Sequence, residues 1–141
     1  MGPNENKAIV RRYFDEIFNR GDLGAIGALL APGIVFENPP NRVEGHAALK
    51  QLVTSLRTAF PDFQFVIEDE IAEGDKVVTR WRLQGTQRGQ FLNNPPSHKR
   101  FDVTGMDILQ ISEGRIARVW VNMDMLGQAQ QLGWIPAPQG T

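Results

Sequence analysis

The sequence predicts an α+β domain in which three N-terminal helices pack on a curved, mainly antiparallel sheet and leave a cone-shaped barrel with an internal pocket. Apolar residues recur at helical spacing as far as Phe60, and at a spacing of two after Pro61. Turn residues then divide the second half into four strands of hairpin length, so helices and strands are segregated along the chain rather than alternating.

The first helix is carried by Ile9, Tyr13 and Ile17 and by Val10, Phe14 and Phe18, two i,i+4 series that merge into one broad stripe. Asn19-Arg20-Gly21 ends it. Asp22 is placed to cap a second, shorter helix through Leu23, Ile26, Leu29 and Leu30, stopped at Pro32-Gly33. Ile34-Val35-Phe36 reads as a short strand halted by Asn38-Pro39-Pro40. The third helix opens near Gly45-His46, buries Leu49, Leu52, Val53 and Leu56, and stops before Phe60-Pro61.

Phe63, Phe65, Ile67 and Ile71 form the next strand, Gly74-Asp75 turns the chain, and Val77, Thr79, Trp81 and Leu83 return. A Gly-, Asn- and Pro-rich loop covers Gly85 to Ser97. Strands over Arg100 to Ile111 and Arg115 to Met125 follow, joined at Ser112-Glu113-Gly114, and a last short helix spans Leu126 to Leu132. The domain reading is a flexible N-terminus over 1–6, one domain over 7–133 and a tail over 134–141.

Composition narrows the function classes. With 15 Lys+Arg against 16 Asp+Glu the net charge is −1, so the basic footprint of a nucleic-acid binder is missing. The absence of cysteine removes thiol catalysis, Cys-ligated zinc and disulfides. No apolar run is long enough for a membrane helix, and the first residues lack a signal-peptide pattern, so a cytoplasmic protein is expected. His46 and His98 have no partner at metal spacing and read as surface or capping residues.

Two acids stand out. Asp124 ends the last strand, where it can serve as N-cap of the final helix or as a functional carboxylate. Asp107 shares strand parity with Phe101, Val103, Leu109 and Ile111, so it is directed to an apolar face and must be protonated, functional, or paired with an arginine such as Arg80 or Arg118. Hairpin register decides whether the two acids meet. A two-residue Glu113-Gly114 turn puts Asp107 opposite Trp120 and on one face with Asn122 and Asp124. A three-residue loop instead groups Asp124 with Asp102, Thr104, Met106 and Gln110, and a bulge would alter either arrangement. Tyr13 is a core ring or a pocket donor, Trp81 and Trp120 are core rings or a stacking surface, and Asn38 makes a turn or lines the pocket.

At several places the chain resembles the SnoaL-like polyketide cyclase family of the nuclear transport factor 2-like superfamily. These are Tyr13-Phe14 with Asn19-Arg20-Gly21-Asp22, Glu37-Asn38-Pro39, Gly45-His46, and above all the C-terminal run. That run contains Gly105-Met106-Asp107-Ile108, Glu113-Gly114-Arg115-Ile116, Trp120, Asp124, Leu126-Gly127 and Gln130-Gln131-Leu132-Gly133. The resemblance implies a cone-shaped pocket, a homodimer or tetramer through the outer sheet face, and an intramolecular aldol closure without metal or organic cofactor. It gives the general acid/base role to Asp124, with Gln110 at a position where some cyclases have His, and makes a small hydrophobic, oxygenated molecule the ligand. Tyr13, Asn38, Trp81, Met106, Asp107, Trp120 and Asn122 are the expected pocket-lining residues.

The chain departs from the family pattern at Gln87, where many relatives have His after Gly-Thr, and at Gln110; a glutamine donates a hydrogen bond but relays no proton. The base of ketosteroid isomerases would align near Asn38, which is no base. The alternatives are a non-catalytic binding module, a cofactor-free epoxide hydrolase using Asp107, Asp124 and one of Arg80, Arg82 or Arg118 in the first register, and a subunit interaction protein with a filled cone.

Overall fold

A computed structural model describes residues 2–136. Helix α1 spans Pro3–Arg12 and continues through Tyr13–Asn19 as a π-helix, closed by Arg20 N donating to Asp15 O at 2.9 Å. The wider turn brings Tyr13, Phe14, Ile17 and Phe18 onto one buried surface, and such segments are frequent at functional sites. The expected loose N-terminus is instead helical from Pro3. Asn6 is buried there, with its Nδ2 donating to Gly74 O at 3.3 Å.

Asp22, expected to cap the second helix, instead closes the turn before it, its Oδ1 accepting from Gly24 N at 3.0 Å; α2 spans Ala25–Leu29 with Gly24 at its N-cap and no side-chain cap. Leu30, expected to end that helix, opens β1, which runs Leu30–Asn38. Pro32 cannot donate to a ladder, and the pairing shifts register between Leu30 and Val35. The Pro39-Pro40 turn folds the chain back into a further strand, β2 over Asn41–Glu44, paired antiparallel to β1. Helix α3 spans Gly45–Ala59 and buries Leu49 and Val53.

Strands β3 (Gln64–Glu73), β4 (Lys76–Thr86), β5 (Arg100–Ser112) and β6 (Arg115–Met123) form the expected antiparallel meander, and α4 spans Met125–Gln131. The sheet is curved and does not close; its order is β2-β1-β6-β5-β4-β3, with β1 parallel to β6. Its concave face carries Val77, Trp81, Leu83, Phe101, Val103 and Leu109 and packs against Val10, Tyr13, Ile17 and Leu49 in one core.

Glu113 and Gly114 both take positive φ, 52° and 77°, and Ser112 pairs with Arg115, so the last hairpin has the two-residue turn. A bulge then skips Ala117 and shifts the ladder by one residue. Asp107 therefore lies opposite Val121 rather than Trp120, while Met106 pairs with Asn122 and Ile108 with Trp120. Because alternate residues face opposite sides, this slip sends Trp120 and Asn122 to the outer face and keeps Asp107 on the concave one.

The tail begins later than expected, since Trp134 is anchored by its Nε1 donating to Gln87 Oε1 at 3.0 Å; residues 137–141 lie outside the described residues. Among the described residues no helix is long and apolar enough to cross a membrane.

Candidate active site

The concave sheet face and the helices enclose a cavity of about 950 Å³. Its walls are aromatic: Tyr13, Phe14 and Phe18 from the π-helix meet Phe65 of β3 and Trp81 of β4, with Tyr13–Phe14 centroids 5.0 Å apart and Phe65–Trp81 centroids 4.7 Å apart, both edge-on. Gly105 is what lets the indole lie against β5, because a Cβ there would sit 2.4 Å from the Trp81 ring. Polar residues of the lining, such as Asn41, Gln51, Ser55, Gln90 and Asn93, are exposed and mark the open end.

Asp107 is the chemically distinctive group. It is 4% exposed, lines the cavity, and has no arginine partner among the described residues: Arg80 pairs with Glu68 and Asp69, and Arg118 with Glu37. Thr79, directly opposite on β4, donates its hydroxyl to Asp107 Oδ1. Burial raises the Asp107 carboxyl from 3.8 to about 7, and the bond from the Thr79 hydroxyl offsets only part of that rise. The Tyr13 phenol is driven well above its usual value, first by burial and then by the Asp107 charge, so it stays a neutral donor. Among the described residues its hydroxyl makes no protein hydrogen bond. A carboxyl poised near neutrality beside an unengaged phenol can take up a proton, return it, and stabilise an oxyanion.

The other expected site residues divide sharply. Tyr13, Asn38, Trp81 and Asp107 all line the cavity. Met106, Trp120 and Asn122 do not: Met106 alternates with Asp107 along β5, and the bulge after Ile116 carries Trp120 and Asn122 to the same outer face, where Met106 is 53% exposed and Trp120 lies under Arg118 at 4.9 Å. Gln110 is on that face too, its Nε2 donating to Asp75 Oδ2 at 2.9 Å, and it cannot reach the cavity. Asp124 is exposed and caps α4, with Oδ1 accepting from Gly127 N at 2.8 Å. Gly127 serves the same contact, since a Cβ would sit 2.3 Å from the Asp124 carboxylate. With Asp124 so engaged and the arginines outside, the Asp-Arg-Asp set of an epoxide hydrolase is not assembled.

Gln87 is buried and organises the long loop. It donates to Gly89 O at 3.1 Å and Asn94 O at 3.2 Å, and accepts from Ser97 N at 3.3 Å as well as from Trp134. The loop so held contributes Gln90 to Asn93 to the cavity rim. Neither this rim nor the C-terminal wall of Met123, Met125 and Gln128 was expected from sequence. The available signal for the latter is the i, i+3, i+7 spacing of Met125, Gln128 and Leu132. Among the described residues no cluster of three or more His, Asp or Glu side chains could hold a metal.

Comparison with known proteins agrees with this architecture. The family model of SnoaL-like polyketide cyclases matches residues 8–132. The aklanonic acid methyl ester cyclase DnrD of Streptomyces peucetius is 32% identical over 142 residues, covering 94% of each chain. TsrD from Streptomyces laurentii superposes with a TM-score of 0.87 at 28% identity, over 96% of this chain and 99% of its own. A SnoaL-like cyclase structure from Jannaschia sp. CCS1 also gives 0.87 at 28% identity, over 95% of both chains. From its N-terminal helix to the end of α4, the chain belongs to the SnoaL-like polyketide cyclase family.

Proposed function

We propose that this protein closes a ring in a neutral, polyketide-like substrate by an intramolecular aldol reaction, with Asp107 as the general acid/base. The Asp107 carboxylate takes a proton from a carbon next to a carbonyl. The resulting enolate carbon bonds to a second carbonyl carbon of the same molecule, and that carbonyl's electron pair becomes an alkoxide, which recovers the proton from Asp107. Atoms and charge balance without a co-reactant. Tyr13 donates to the developing oxyanion, and the aromatic walls hold the substrate in a site dry enough to sustain the basicity of Asp107.

The observation that carries this reading is a buried, cavity-lining carboxyl with no cation paired to it among the described residues and an acidity shifted to about 7. A binding module would need the cavity but gain nothing from so costly a group. The relative's name supplies a probe, aklanonic acid methyl ester. In D₂O the protein is expected to exchange an α-proton of this ester and to form the cyclised isomer, and Asp107→Asn is expected to do neither. Exchange and closure at undiminished rate in Asp107→Asn would overturn the proposal.

The same reading makes a second copy of the chain the occupant of the outer sheet face. Ile71 and Met106 are 63% and 53% exposed there, and Ile108, at 39%, pairs with Trp120.

A further inference from the structure

Among the described residues, buried side-chain atoms without a hydrogen-bond partner are Asn6 Oδ1, Glu70 Oε2, Trp81 Nε1 and Arg118 Nε. In three of these side chains another polar atom is engaged. Asn6 Nδ2 donates to Gly74 O, Glu70 Oε1 pairs with Arg11 at 2.7 Å, and Arg118 Nη2 donates to Glu37 Oε1 at 2.8 Å. The Trp81 indole has a single polar atom, so its whole hydrogen-bonding capacity is unused. Of these four side chains it is also the one that lines the cavity. A buried indole N–H ordinarily has an acceptor.

Strand pairing shows which acceptor is within reach. Thr79 lies directly opposite Asp107 and Trp81 directly opposite Gly105, so Trp81 and Asp107 are diagonal neighbours on the concave face of β4 and β5. Such neighbours are about 7–8 Å apart, a gap that an aromatic side chain spans. Gly105 lets the indole lie across β5: its Cζ2, bonded to the carbon that carries Nε1, lies 2.7 Å from where a Gly105 Cβ would stand. Phe65 holds the ring edge-on from β3 at 4.7 Å. The indole favours the ionised Asp107 carboxyl against burial, yet its N–H stops short of hydrogen-bond geometry. Thr79 already donates to Oδ1. Loss of the carboxyl proton leaves both oxygens as acceptors only, which opens a place for a further donor. The titratable group facing Asp107 is Tyr13 of the π-helix, which stays neutral. From β6 it meets Val121, and Glu70 of β3, across from Thr79, is taken by Arg11.

We infer that Trp81 is a positioning residue for the Asp107 base, its indole N–H donating to the carboxylate once the proton has left. Thr79 and Trp81 then hold the carboxylate from two places on β4, and its remaining lone pairs are left to the occupant of the cavity. A charge-assisted bond takes the place of an unmade one, so the base form is supported where burial alone would suppress it. Protonation releases the indole. This inference deepens the reading of Asp107 as general acid/base and rests on it, but its test needs no substrate.

The chain has three tryptophans, Trp81, Trp120 and Trp134, so three indole N–H signals are expected in proton–nitrogen correlation spectra of the full chain. Trp120→Phe and Trp134→Phe assign two of them, which identifies Trp81 whether or not Trp81→Phe folds. As pH is raised, the Trp81 indole proton is expected to move downfield with a midpoint at about 7, and to stay fixed in Asp107→Asn. Carbon NMR of the Asp107 carboxyl follows the same titration. In Trp81→Phe its midpoint is expected to rise by about one pH unit, because a donor to the charged form is gone. A purely structural role for the indole would not move that midpoint. A Trp81 signal that stays fixed while the Asp107 carbon titrates overturns the inference and leaves Asp107 as the base. A Trp81 shift that persists in Asp107→Asn overturns it as well. If neither signal titrates, the reading of Asp107 falls together with the inference.

Discussion

Substituting Asp107 by Asn should change how stability depends on pH, by an amount that follows from its burial. In the folded chain the carboxyl is raised from 3.8 to about 7. At about 1.36 kcal/mol per pH unit, that is about 4 kcal/mol of differential stability. Between these two values the folded state binds the proton and the unfolded chain does not. Stability from this group is therefore fully present below about pH 4 and is lost as the pH rises through about 7. The asparagine of the variant would be neutral throughout and would still accept from Thr79, so the variant should lack this decline. Urea denaturation at intervals from pH 4 to 8.5 measures the difference between the two proteins at each pH, which cancels the groups they share. The difference should move by about 4 kcal/mol in favour of the variant as pH rises. Parallel profiles would refute the claim that Asp107 is held protonated by burial.

Activity should run the other way, because the base form is required: kcat/KM for aklanonic acid methyl ester should rise through about pH 7 and then level off. Asp124→Ala should cost about 1 kcal/mol, the usual worth of an N-cap, read as a fall of about 4 °C in Tm. Its effect on turnover should appear mainly in KM, through a loosened α4. Gly105→Ala should destabilise by about 1–3 kcal/mol, since the new methyl collides with Trp81, and should shift tryptophan fluorescence. Met106→Glu together with Ile108→Glu should convert an oligomer to monomer by sedimentation, with the cavity unaffected; an unchanged sedimentation coefficient would remove the outer face as an interface.

Much of the fold was legible because its causes are local. The i,i+4 series of the first helix, the turn at Asp22 and the switch of period at Pro61 all act over a few residues and all appear where expected. Asp107 was legible as a polar residue at apolar parity, and its cavity placement follows from that parity alone. What failed depended on single-residue shifts. The two-residue turn was among the expected arrangements, yet the bulge that skips Ala117 moved Trp120 and Asn122 to the other face. The π-helix likewise leaves no trace in apolar spacing, though it brings Tyr13 and Phe14 together on the cavity wall.

Asp124 shows a different kind of failure. The motif around it matched the family well, but the contact it preserves is a helix cap with Gly127, which is indistinguishable in sequence from a catalytic carboxylate at the end of a strand.

A side-by-side rate measurement on Asp107→Asn and Asp124→Asn tests the assignment of the acid/base most directly. With aklanonic acid methyl ester, ring closure by Asp107→Asn should fall by at least about 100-fold, the usual worth of a general acid/base, while Asp124→Asn should stay within about threefold of the parent. The reverse pattern, with Asp124→Asn inactive at full stability and Asp107→Asn unimpaired, would contradict it.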